Sequence, residues 1–137
     1  IEAAGVHACD SVEEMYKTCQ FISLHLPATD ETKNSIGRKY VSLMPKGAVL
    51  VNSARKEIIN EEELIQLMQE RTDLKFVSDI APAAAEKFQE LFADRYFATP
   101  KKMGAQTAEA NINAGIAAAN QIAGFFKDGC TRFMVNK

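Results

Sequence analysis

Short apolar runs alternate with stretches of helical periodicity along most of this chain, the rhythm of a parallel sheet whose strands are joined by helices. Residues 6–9 read as a short strand. Ser11 then opens a helix, with Glu14 at capping-box spacing. Residues 21–26 form a buried strand stopped by Pro27, and residues 30–44 are irregular or weakly helical, closing in the turn Met44, Pro45, Lys46, Gly47. Residues 48–52 are the cleanest strand. Asn60 starts a helix that runs to about Glu70, and Glu61, Glu62 and Glu63 in its first turn suit the positive end of the helix dipole. A strand at 75–78 ends at Asp79, a helix covers 83–93, and a strand at 96–99 is closed by Pro100. One long alanine-rich helix spans 106–127, with small residues on a face suited to close packing; Asp128 and Gly129 stop it, and 132–135 read as a last extended piece.

The fold expected from this order is α/β: a partial Rossmann-type, doubly wound parallel sheet with helices on both faces. Loops carrying Pro27, residues 53–56, 79–82 and 100–106 then leave the same edge of the sheet. Ligands of parallel sheets bind at that C-terminal edge.

Composition narrows the function classes. The 137 residues are 47% hydrophobic and 25% charged, enough for a core and too apolar for disorder. A formal net charge of −2 gives no case for nucleic acid or an acidic membrane, and no apolar run approaches a membrane span. Three cysteines at unrelated spacings argue against a disulfide framework and a zinc site, and fit a reduced, cytoplasmic protein. The chain opens on Ile1 rather than Met, which points to sequence upstream.

The chemistry-bearing residues lie in the edge loops. Arg55, three residues beyond a strand, offers a permanently charged planar fork for a carboxylate, or else caps its loop from the surface. Asp79 either holds a turn or accepts from an amide group on a ligand. Lys101 and Lys102 are solvated surface or a proton donor and acceptor, and Gly104 permits close backbone approach. His25 reads as a satisfied core histidine, Cys9 and Cys19 as small apolar fillers, and Glu61 to Glu63 as a solvated helix start. There is no Gly-x-Gly-x-x-Gly, no Walker loop and no metal-ligand constellation, so no metal is expected.

From about residue 10 onward the chain resembles the D-isomer-specific 2-hydroxyacid dehydrogenases, in the segments DSVEEMYKTCQFISLHLPATDETKNSIG, LMPKGAVLVNSAR, KFVSDIAP and KKMGAQTAEAN. The resemblance implies that NAD is the cofactor. Arg55 would bind the substrate carboxylate and polarise its C2 oxygen. Ser53, Ala54, Arg55 and Asp79 would meet the nicotinamide end, with Asp79 accepting from the carboxamide. Leu26 and Pro27 would flank the adenosine side, and Gly104 and Ala105 would line the nicotinamide ribose or the substrate. Two departures stand out. Lys102 falls where the family has its acid/base histidine, and Ala84 falls where it has the partner glutamate, with Glu86 nearby but off-register. A lysine, with an ordinary pKa near ~10.4, needs no carboxylate to stay protonated. The lysine run resembles a subgroup of D-3-phosphoglycerate dehydrogenases.

The activity implied is hydride transfer between NAD and a D-2-hydroxy acid, D-3-phosphoglycerate first, with Arg55 and Lys102 as the catalytic pair. Another D-2-hydroxy acid, or a non-catalytic NAD-binding interaction module of the same fold, are the alternatives. On this reading residues 1–127 are the C-terminal part of an NAD-binding domain and 128–137 a tail returning to the substrate domain. The N-terminal part of the enzyme, with its glycine-rich loop, lies upstream, so the isolated chain is expected to be inactive and the complete protein a homodimer.

Overall fold

Four strands, β1 Phe21–Leu24, β2 Val49–Asn52, β3 Lys75–Ser78 and β4 Tyr96–Ala98, lie side by side in chain order. All three pairings are parallel. The structure, a computed structural model, describes residues 4–100, 107–132 and 134–135. Two compact units divide the chain, Ile1–Lys102 and Met103–Lys137. The break therefore comes ahead of the long helix, whereas the sequence reading carried the first domain through it to residue 127.

In the first unit, α1 (Val12–Thr18) precedes β1, α2 (Arg38–Val41) lies between β1 and β2, α3 (Glu61–Glu70) between β2 and β3, and α4 (Ala85–Phe92) between β3 and β4. Their starts follow local chemistry. Ser11 Oγ accepts from Glu14 N at 3.0 Å, while the Glu14 carboxylate accepts from Asp10 N at 2.8 Å, one residue earlier than a strict capping box. Asn60 Oδ1 accepts from Glu63 N at the start of α3.

One core unites these helices with one face of the sheet. Ile22, Leu50, Phe76 and Tyr96 stand in register across the strands and are buried with Val41, Leu64, Met68, Phe88 and Phe92. Phe76, Phe88 and Tyr96 stack at centroid distances of 5.1–5.9 Å. The one-sidedness has a topological cause. Right-handed crossovers that always step in the same direction across a sheet put every connecting helix on the same face. A second layer requires the strand order to reverse, and among these four strands it does not. The opposite face, in rows Phe21–Val49–Lys75 and Ser23–Val51–Val77–Phe97, is open, with Phe21 71% and Phe97 61% exposed. The helical cover expected for that face is not among the elements of this unit.

One expectation fails at the start of the unit, while the 30–44 stretch is weakly helical, as expected. Residues 6–9 form no strand, because no ladder partner lies beside them among the described residues. The irregular stretch contains the short helix α2, whose first amide, Arg38 N, is capped by Glu63 Oε2 at 2.8 Å.

The turn into β2 is locked from a distance. Gly47 takes φ +77°, and its N–H donates to Asp73 Oδ2 at 2.7 Å. Arg71 donates to Met44 O, Pro45 O and the same carboxylate. The Arg71 hydrogen bond first, and the Gly47 N–H second, hold the Asp73 carboxyl well below the usual carboxylate range. A carboxyl depressed on folding stabilises the protein above its unfolded pKa near ~3.9, and that contribution is lost as pH falls toward the lowered folded value. Asp73→Ala is therefore expected to lower unfolding free energy by about 1–2 kcal/mol at neutral pH. In urea titrations of the two proteins, the gap should close in the acid range.

The second unit is α5 (Ala108–Asp128), N-capped by Thr107, whose Oγ1 accepts from Ala110 N, and ended by Gly129 at φ +63°. It carries Ile112, Ile116, Ile122, Phe125 and Phe126 exposed. Residues beyond it turn, with Met134 N donating to Thr131 O, rather than extend.

Candidate functional site

The strand ends are aligned, Leu24 beside Asn52, Asn52 beside Ser78, Ser78 beside Ala98. This register sends the loops beginning at His25, Ser53, Asp79 and Thr99 off one edge, as the sequence implied.

Asn52 organises the loop that carries Arg55. Its side chain is 3% exposed and spends both ends of its amide on the turn: Nδ2 donates to Arg55 O at 2.9 Å, and Oδ1 accepts from Ala54 N at 3.1 Å. Arg55 itself is exposed. Its Nη1 donates only to the adjacent Ala54 O, and among the described residues its guanidinium pairs with no carboxylate. A permanently charged fork held out by a buried brace is free to take an anion.

His25, Leu26, Pro27, Ala28, Ser53, Ala54 and Arg55 line one open groove of about 570 Å³. His25 corrects the sequence reading. It lies one residue past β1, exposed, with Nε2 3.0 Å from Ser23 Oγ and Nδ1 3.3 Å from Ser53 Oγ. Ser53 Oγ donates to Leu24 O at 3.1 Å, so its lone pairs face the His25 ring. An apolar run hides a residue that follows the last ladder position, and only the strand's early end at Leu24 reveals it.

Asp79 sits one strand over, half-buried. Its N–H donates to Asn52 O at 2.9 Å, and Thr99 Oγ1 donates to its backbone oxygen at 2.5 Å, with Oδ1 at 3.4 Å. Thr99 is a support that nothing in the sequence singles out beyond its place before Pro100. Glu61 and Glu63 are not merely solvated: Glu63 caps α2, and Glu61 accepts from Ala83 N and Ala84 N. Ala84 is the N-cap residue of α4. Lys101, Lys102, Gly104 and Ala105 lie outside the described residues.

A parallel α/β sheet with an anion-ready arginine, a hydroxyl and a fixed carboxylate along its C-terminal edge defines a nucleotide-binding class of domain. Comparison with known proteins gives the family. The model of the D-isomer specific 2-hydroxyacid dehydrogenase NAD-binding domain matches residues 1–101, and the chain belongs to that family. A D-3-phosphoglycerate dehydrogenase of Methanocaldococcus jannaschii is 36% identical over 129 residues, 88% of this chain and 23% of the relative. The NAD+-bound 3-phosphoglycerate dehydrogenase of Entamoeba histolytica superposes with a TM-score of 0.80 at 51% identity, over 94% of this chain and 42% of that one. A D-mandelate dehydrogenase of Rhodotorula graminis, 22% identical, shares the fold with a TM-score of 0.72, covering 90% of this chain and 36% of its own. The chain thus spans less than half the length of these relatives.

Proposed function

We propose that this chain is the cofactor-side part of an NAD-dependent dehydrogenase that oxidises D-3-phosphoglycerate to 3-phosphohydroxypyruvate. The observation that carries the reading is Arg55, charged, unpaired among the described residues and braced by Asn52 at the edge where such sheets bind ligands.

The donor set fits the nicotinamide end of NAD. Asp79 offers a carboxylate on a backbone held by Asn52 O and Thr99 Oγ1, suited to accept from a carboxamide N–H, and Ser53 and Ala54 are small enough to leave room beside it. Leu26 and Pro27, exposed at the end of β1, suit the adenosine side. NAD, when bound, supplies the acceptor for the C2 hydride. Arg55 grips the substrate carboxylate through two parallel N–H···O bonds and draws charge onto the C2 oxygen. Lys102 takes the hydroxyl proton, for which the nearby positive charge of Arg55 would have to lower its pKa. Gly104 and Ala105 would line the nicotinamide ribose or the substrate, as the resemblance implies. The free edge of β1 among the described residues and the bare Phe21 and Phe97 support the reading that further chain completes the sheet; residues 128–137 would return to the substrate domain, as the resemblance implies.

The alternative is the same reaction on another D-2-hydroxy acid. NADH formation by the complete protein on a panel of phosphorylated and plain D-2-hydroxy acids separates them. The first reading expects kcat/KM for D-3-phosphoglycerate to exceed that for D-glycerate by about hundredfold or more. A flat profile would favour the second, and NADH binding without turnover on any acid would mark a non-catalytic module.

A further inference from the structure

Helix α4 opens on Pro82-Ala83-Ala84, without a Ser, Thr, Asp or Asn to cap it, and its N-cap Ala84 makes no side-chain bond. Its cap comes from another helix. Glu61, in the first turn of α3, accepts from Ala83 N through Oε1 at 2.9 Å and from Ala84 N through Oε2 at 2.7 Å. The carboxylate sits at the positive end of α4 and satisfies two amides that would otherwise lack partners there. It is also felt within the core: after burial, the Glu61 charge is what raises the Tyr96 hydroxyl above its ordinary pKa.

The segment pinned in this way, residues 79–84, carries Asp79. Its near end is tied through Asp79 N to Asn52 O and through Thr99 to the Asp79 carbonyl. Its far end, among the described residues, is tied by Glu61 and by the short Ala85 N to Pro82 O turn. Ala84, one of the two clamped residues, is the position where the family resemblance asks for a glutamate, so a carboxylate reaches this backbone from outside the loop.

We infer that Glu61 is a positioning residue for the cofactor crevice: by clamping the Ala83 and Ala84 amides it holds the 79–84 loop so that the Asp79 carboxylate meets the amide group of the bound cofactor. The inference rests on the assignment of Asp79 to that amide. Glu61 itself touches neither cofactor nor substrate; it acts through the loop.

The test is NADH titration of the complete enzyme and of its Glu61→Ala, Glu61→Gln, Asp79→Ala and Glu61→Ala/Asp79→Ala variants, well below their melting temperatures. Losing two charge-assisted bonds should weaken NADH binding in Glu61→Ala by about tenfold, with KM for the hydroxy acid unchanged. Glu61→Gln, which keeps one acceptor oxygen, should lose about threefold and carries the test if Glu61→Ala does not fold. In the Asp79→Ala background the Glu61→Ala penalty should vanish, because there is no longer an acceptor to hold in place. Wild-type NADH affinity in Glu61→Ala, or an equal loss with and without Asp79, would overturn the inference and leave Glu61 a helix cap only. Wild-type affinity in Asp79→Ala would instead overturn the assignment of Asp79 on which the inference rests.

Discussion

Replacing Lys102 by alanine in the complete enzyme should cut kcat by about a thousandfold while NADH affinity stays at the wild-type level. The expectation follows from division of labour. The proton of the C2 hydroxyl must leave as the hydride departs, and a positioned base contributes mainly to that step. In the proposed arrangement other groups would hold the cofactor, Asp79 and the residues at the ends of β1 and β2, which the substitution leaves untouched. Lys101→Ala is the matching control and should retain normal turnover, since only Lys102 falls at the family's acid/base position when the sequences are set on Gly104 and Ala105. A Lys102→Ala enzyme with normal turnover, or a Lys101→Ala enzyme without it, would move the proton transfer to another residue.

The second large effect belongs to Arg55. Its guanidinium is exposed, pairs with no carboxylate among the described residues, and is carried by a turn that the buried Asn52 holds at both ends. Truncation to alanine removes the carboxylate anchor and the charge that polarises the C2 oxygen, so kcat/KM should fall by about a thousandfold. Arg55→Lys keeps the charge and loses the fork, and should recover only part of that loss, because a point charge cannot make two parallel bonds to a carboxylate. Because the turn is braced through the backbone of Arg55 and not its side chain, both variants should fold normally, as thermal melts can check. Arg55→Lys with wild-type kcat/KM would mean that the fork is not used.

Much of this was legible in the sequence because local and global signals agree. The apolar runs at β2 and β3 are short and bounded by turn residues, Ser11 and Asn60 cap the helices they were expected to cap, and Pro27 and Pro100 follow strands. Parallel order then brings every chemically interesting loop to one edge, which needs no knowledge of side-chain positions. Long-range partnership was not legible. Periodicity cannot say that Glu61 reaches across to Ala83, or Glu63 to Arg38, since both bonds depend on how neighbouring helices meet the sheet. His25 was misread because an alternating pattern does not show where hydrogen bonding to the next strand stops. Residues 6–9 have strand composition without a strand to pair with, and composition alone cannot supply a partner.

The claim on which the account turns is that Arg55 and Lys102 approach one substrate carbon from the same crevice. The most direct measurement is a crystal structure of the complete enzyme with NADH and a 2-oxo acid bound. The account predicts two Arg55 nitrogens within hydrogen-bonding distance of the acid's carboxylate and the Lys102 ammonium within hydrogen-bonding distance of the C2 oxygen. A complex in which the lysine points away from that oxygen, or the carboxylate is held by groups other than Arg55, would contradict it.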